Sequence, residues 1–231
     1  MFKKAFTLAE VLITVGIIGV VMALTLTVLI QNYQKKKALT QLKKVYSVTN
    51  QVIQRAEYES GTKLSDWSEW NQGSEAVLKT YFLPYLDGAK IYNSKNDYRK
   101  AMCFEAKEVS IKQYSWLTGV LISSPLYSIN SIRLKDGSCI GLSSRDKGAS
   151  SYLFLDVNGG MTKPNVAGKD LFVFLIDTNN KIVPWGYNWS YEDLTNENIR
   201  NSCNKKAGGG GMACSAKIIA DDWQMLEDYP W

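Results

Sequence analysis

The chain contains no histidine in 231 residues. That absence excludes Ser-His-Asp and Cys-His catalysis, histidine-bearing zinc or haem sites, and the commonest side-chain pH switch. Proline is scarce, and none precedes Pro84, so nothing interrupts helical phasing across residues 6–58. No Cys-x-x-Cys pair occurs; Cys103, Cys139, Cys203 and Cys214 lie far apart, which argues against a zinc ribbon. The four glycines Gly208–Gly211 lack the flanking strand and helix and the Lys-Ser/Thr ending of a phosphate loop. They read as a flexible loop.

What is present is ordinary for a folded protein: 45% hydrophobic and 21% charged residues exclude disorder and a polytopic membrane protein. The net charge of +5 suggests a nucleic-acid binder only until it is divided. Residues 1–55 carry eight Lys/Arg against one acid, whereas residues 56–231 carry 19 against 21. The basicity belongs to the N-terminal stretch. There, Val11 to Ile30 form twenty consecutive uncharged residues, fifteen of them apolar. Twenty helical residues span about 30 Å, the thickness of a bilayer's hydrocarbon. A cleaved secretory signal is the alternative, but the apolar run continues from Leu24 to Ile30 beyond its best small-residue site at Ala23. Glu10, at the mouth of the run, has two readings. It is either an interfacial carboxylate favoured by the helix dipole or a functional charge in lipid.

The string KKAFTLAEVLI decides between them. It resembles the prepilin signal of type IV pilins and type II secretion pseudopilins. The resemblance implies that Lys3 and Lys4 belong to a leader cut between Ala5 and Phe6 by a prepilin peptidase. Phe6 then becomes the methylated N-terminus, and Glu10, four residues on, pairs with the Phe6 amine of a neighbouring subunit during assembly. Ala5 stands where the family more often has glycine, and Thr27 where it usually has proline. The resemblance further implies a single-pass protein of the bacterial inner membrane, N-terminus cytoplasmic and globular part outside, passing into a periplasmic or extracellular filament. Lys35, Lys36 and Lys37 beyond the run oppose that orientation by charge counting. The implied partners are itself and other pilin-like subunits, the peptidase, the inner-membrane assembly platform and membrane lipid. Nucleic acid is not expected, because the lysines have little aromatic interleaving.

Past the membrane run, Ala38, Leu42, Val45, Thr49, Val52 and Ala56 recur at steps of three and four, joined by Leu39, Tyr46 and Ile53. This predicts one long helix whose second half buries an apolar stripe. A second helical stretch is expected over 74–86. Strands are expected at 117–123, 129–135, 138–143, 151–156, 171–176 and 181–184, with a last one at 215–220. Hairpin turns fall at Asp136-Gly137 and Asn179-Asn180. The fold class is α+β and pilin-like, a long N-terminal helix packed on a C-terminal antiparallel sheet. Its parts are a leader (1–5), an assembly helix (6–30), its amphipathic continuation (31–60) and a globular domain (61–231).

LDVNGGMTKPNVAGKDLFVFLI, residues 155–176, resembles a loop of pseudopilin-like sequences, some of which bind calcium in this region. Asp156, Asn158 and Asp170 are the candidate calcium ligands, since calcium takes hard oxygens. The alternative is an Asx-turn at Asp156 and Asn158 without metal. The even cysteine count in an exported domain reads as two disulfides, with three pairings open and Cys203–Cys214 plus Cys103–Cys139 favoured; a reducing compartment would leave free thiols. Trp223, Tyr229 and Trp231 are expected to be packing anchors. The function expected is a structural filament subunit, not an enzyme. The alternatives are a minor or tip pilin with a ligand-binding or adhesive role, and a membrane-anchored enzyme.

Overall fold

The computed structural model describes residues 7–92, 102–103, 113–122, 129–143 and 151–231. It contains helix α1 (Leu8–Ser60), a short α2 (Ser74–Val77), six strands and two further short helices, α3 (Tyr191–Thr195) and α4 (Cys214–Ala220). The strands are β1 (Lys90–Tyr92), β2 (Asn130–Arg133), β3 (Cys139–Ser143), β4 (Ser151–Asp156), β5 (Leu171–Ile176) and β6 (Ile182–Pro184). The chain divides into two compact units, residues 1–37 and residues 38–231, with α1 running through the division.

In the first unit α1 is long and apolar enough to cross a membrane, and Leu8, Leu12, Ile18, Leu24 and Leu29 are all exposed. Its threonine hydroxyls are already satisfied. Thr14 donates to the Val11 carbonyl at 2.9 Å, Thr25 to that of Val21 at 2.9 Å and Thr27 to that of Leu24 at 3.2 Å. Back-bonded threonines leave no side-chain donor to be desolvated in hydrocarbon.

In the second unit the residues of α1 that are buried are Ala38, Leu42, Val45, Thr49, Val52, Ile53 and Ala56, the stripe set by the 3.6-residue period. Thr49 joins an apolar stripe because its hydroxyl donates to the Val45 carbonyl at 2.8 Å. This stripe packs on one face of an antiparallel meander in the order β1-β2-β3-β4-β5-β6. Leu153 and Leu155 of β4 and Phe172, Phe174 and Ile176 of β5 point into that core. The alternate residues, Phe154, Leu171 and Val173, enter a second core with Met102, Tyr114, Ile122 and Met212. Burial on both faces is why β4 and β5 read as unbroken apolar runs rather than alternating ones. Gly141 of β3 is required by the second layer: a Cβ there would lie 2.0 Å from the Met102 sulfur. Disulfides join Cys103 to Cys139 and Cys203 to Cys214, with Cα separations of 6.3 and 4.6 Å.

Several expected elements differ. Residues 215–220 form α4, not a strand; SAKIIA is too short for period alone to choose, and a helix is what lets Lys217 meet Asp221 one turn on at 2.9 Å. The expected helix 74–86 is a chain of α, π and 3-10 turns, because Pro84 has no N–H to continue an α ladder. Residues 117–122 form a turn closed by a Ser115–Leu121 bridge, and β1 lies where no strand was expected. The glycine loop is packed, not flexible. A Cβ on Gly209 would lie 2.2 Å from Asn201 Oδ1, on Gly210 2.2 Å from the Asn204 carbonyl, and on Gly211 2.4 Å from that of Ala167.

Candidate functional site

At the start of α1 the sequence T-L-A-E builds a reciprocal cap. The Thr7 amide donates to Glu10 Oε2 at 2.9 Å, the Thr7 hydroxyl to the same oxygen at 2.7 Å, and the Glu10 amide to Thr7 Oγ1 at 3.3 Å. This capping box satisfies helix N-terminal donors that otherwise lack intrahelical partners. Thr7 was not foreseen beside Glu10, although Ser/Thr-x-x-Glu ahead of an apolar run is a readable signal. Ala5 and Phe6 lie outside the described residues.

The other expected site lies in the β4–β5 loop. Asp156 closes β4 with its side chain fully buried, and Asp170 sits just before β5, 2% exposed. Asp156 Oδ1 accepts from the amides of Asn158 at 3.1 Å and Gly159 at 2.7 Å, and Oδ2 accepts from the Tyr114 hydroxyl. Asp170 accepts from the amides of Asn165 and Val166, both at 2.6 Å. Each carboxylate thus organises the backbone of a turn. Burial, and then the charge of Asp170, raise Asp156 to about 7. Burial raises Asp170 to about 6 against the N–H donors that favour its ionised form. Burial and the facing Asp156 push the Tyr114 hydroxyl well above its usual range, so it remains a donor.

Of the candidate calcium ligands, Asp156 and Asp170 are therefore brought together, and Asn158 is adjacent. Its amide nitrogen donates to the Lys163 carbonyl at 3.1 Å, while its Oδ1, like that of Asn165, is buried without a partner. The chemistry is that of hard oxygen donors, but calcium asks for six to eight. Here the carboxylate oxygens already receive N–H or O–H bonds, and no group of three or more His, Cys, Asp or Glu converges among the described residues. The arrangement is the Asx-turn at Asp156, extended by a second carboxylate.

A third cluster was not foreseen. The side chain of Lys217 on α4 is fully buried, and its three protons go to Tyr191 at 2.6 Å, Asp221 at 2.9 Å and Asp228 at 2.7 Å. Burial disfavours its charge, but bonds to Asp228, Tyr191 and Asp221 outweigh this and hold it above the usual lysine range. The i,i+4 pair Lys217/Asp221 is visible in the sequence and was hidden by reading the segment as a strand. With the Trp223 ring tilted against Tyr46 at 5.2 Å and Tyr229 bonded to the Gly168 carbonyl, the cluster fastens the C-terminal tail to the sheet and α1.

Comparison with known proteins finds a family match. The model of a family described as a family of unknown function (DUF6613) covers residues 28–231. No curated protein matches, and no solved structure matches.

Proposed function

The chain belongs to that family of unknown function, DUF6613, and from this premise we propose that it is a structural subunit, not an enzyme, of a type IV pilus-like or type II secretion pseudopilus filament. The observation that carries the reading is KKAFTLAEVLI directly ahead of a long apolar run. A prepilin peptidase cuts between Ala5 and Phe6, exposing an ammonium one helical turn from Glu10. In lipid, an isolated carboxylate and an isolated ammonium are both costly, and pairing them between subunits lowers both costs. The pair therefore sets the axial register of assembly. Glu10 is well suited to this role: its bonds to Thr7 keep it satisfied before assembly and are exchangeable when a stronger, charged partner arrives.

In this reading the protein resides in the bacterial inner membrane, N-terminus cytoplasmic, before the assembly platform moves it into a filament with other pilin-like subunits. A place at the filament tip, with a ligand-binding role, is the second reading; half-exposed Tyr187 and Tyr191 beside the Trp185–Trp189 pair favour it. Labelled antibody at filament ends only, and not along the shaft, would select that version.

The test of the proposal is Glu10→Leu. The variant should insert in the membrane as wild type does and lose pelletable filaments. Filament yield equal to wild type would sink the assignment.

A further inference from the structure

The two edges of the sheet in the second unit carry charges of opposite sign. At one edge, formed by β1, the register sets Lys90 directly opposite Arg133 of β2, and both residues are exposed. Like charges directly opposite each other destabilise a strand pair. Neither cation forms an ion pair among the described residues. The described acids nearest them in the chain are already spent, Asp87 on Lys135 and Asp136 on Lys44.

At the other edge β6 covers only Phe174 to Ile176 of β5, and α4 takes over beyond it. The Val173 carbonyl there receives the Trp185 amide, at 3.1 Å, and the Ser215 hydroxyl of α4. The Lys217 cluster then draws the start of α3 and the tail to α4, since one Nζ binds Tyr191, Asp221 and Asp228. Glu192, Asp222 and Glu227 each adjoin one of those three residues in the chain. All three are exposed and outside any ion pair among the described residues. The cations that reach the tail are engaged within it. Lys217 is buried, Lys205 donates to the Trp231 carbonyl at 2.5 Å, and Lys169 lies over the Trp231 ring. Lys181, exposed beside β6, offsets one of the three acids at most.

We propose that these two edges dock on each other between copies of the chain, Glu192, Asp222 and Glu227 of one copy facing Lys90 and Arg133 of the next. Within one copy they cannot meet, because five interstrand steps set the edges about 24 Å apart. A second copy is the occupant because the same unit supplies both signs of charge. A two-fold contact at either edge would set like charges together, whereas a head-to-tail contact pairs opposite ones and can repeat along an assembly. A carboxylate between Lys90 and Arg133 also relieves their mutual repulsion, and the planar guanidinium fits it with two parallel hydrogen bonds. Exposed ion pairs are individually weak, so the contact orients copies that α1 has gathered and does not gather them itself. The inference rests on the self-assembly part of the proposed function, and not on peptidase processing.

The experiment is charge reversal in the full chain, read as the yield of pelletable filaments. Lys90→Glu/Arg133→Glu and Glu192→Lys/Asp222→Lys/Glu227→Lys should each lower the yield about tenfold, since like charges then face each other. The two sets combined restore opposite signs and should recover the yield, which a folding defect would not. In wild-type filaments a carbodiimide, which joins a carboxylate to an amine in contact with it, should give a dimer linking Lys90 to Glu192, Asp222 or Glu227, mapped by mass spectrometry. Filaments that are lost with Glu10→Leu but indifferent to both reversals overturn this contact alone. Loss on reversing the cations that the acidic set neither reproduces nor rescues assigns Lys90 and Arg133 to another anion, such as lipid phosphate, and overturns the proposal. A wild-type chain that forms no filaments overturns the assembly reading with it.

Discussion

Glu10 and the Asp156–Asp170 pair show how the same side-chain chemistry takes different work from its surroundings. Glu10 is an exposed acceptor held by a neighbour three residues away, so its partner is replaceable. The two aspartates are buried and fixed by backbone donors, so their charge is a burden on the folded state. A carboxyl whose folded pKa lies above its unfolded value binds more protons when folded, and stability then falls as pH rises. With Asp156 near 7 and Asp170 near 6 against an unfolded value near 4, thermal stability should increase as pH is lowered from about 8 to about 5. Asp170→Asn should flatten that dependence. A cation held by the same carboxylates would reverse the sign, with calcium raising the melting temperature and acid lowering it. A melting series with calcium or a chelator reads both directions. Lys217 is the opposite case, a buried charge fully matched by its acceptors. Lys217→Ala strands Asp221, which is 5% exposed, and should cost about 3–5 kcal/mol in a denaturant melt. Lys217→Ala/Asp221→Ala, which removes the orphaned charge, should recover part of the loss.

At the scale of elements, α1 was legible because a single period governs it: the positions at steps of three and four from Ala38 to Ala56 are the buried ones. Leu42→Ala in that stripe should destabilise the domain by about 2–5 kcal/mol, whereas a change at exposed Gln51 should have little effect. The strands flanking the two hairpin turns were legible for a similar reason, since Asp136-Gly137 and Asn179-Asn180 are local signals. The elements that escaped are set by distant partners. In α4 the helix serves the Lys217 cluster, and in β1 three residues pair with β2, with Ile91 and Tyr92 packed against the two cores. The glycine loop was misread because composition reports freedom of the unfolded chain, while three of its four glycines face backbone or side-chain atoms that leave no room for a methyl group. Gly210→Ala should therefore destabilise by about 1–3 kcal/mol in a thermal melt, where a flexible linker would tolerate it.

For the whole molecule, the α+β class followed from one long helix and several short strands with tight turns. The second layer over the sheet was not legible. It depends on Met102, Tyr114 and Met212 meeting across more than a hundred residues, and no local pattern announces such a meeting. The candidate sites divide in the same way. Glu10 was found by spacing within eleven residues, and Asp156 with Asp170 by one loop, but Tyr114, which bonds Asp156, lies 42 residues earlier in the chain. The central claim, that this chain is processed and assembled as a prepilin, is tested most directly by the mass of the protein extracted from membranes. The extracted protein should begin at Phe6 and carry one methyl group. A mass beginning at Met1, or at Leu24 within the apolar run, would contradict it.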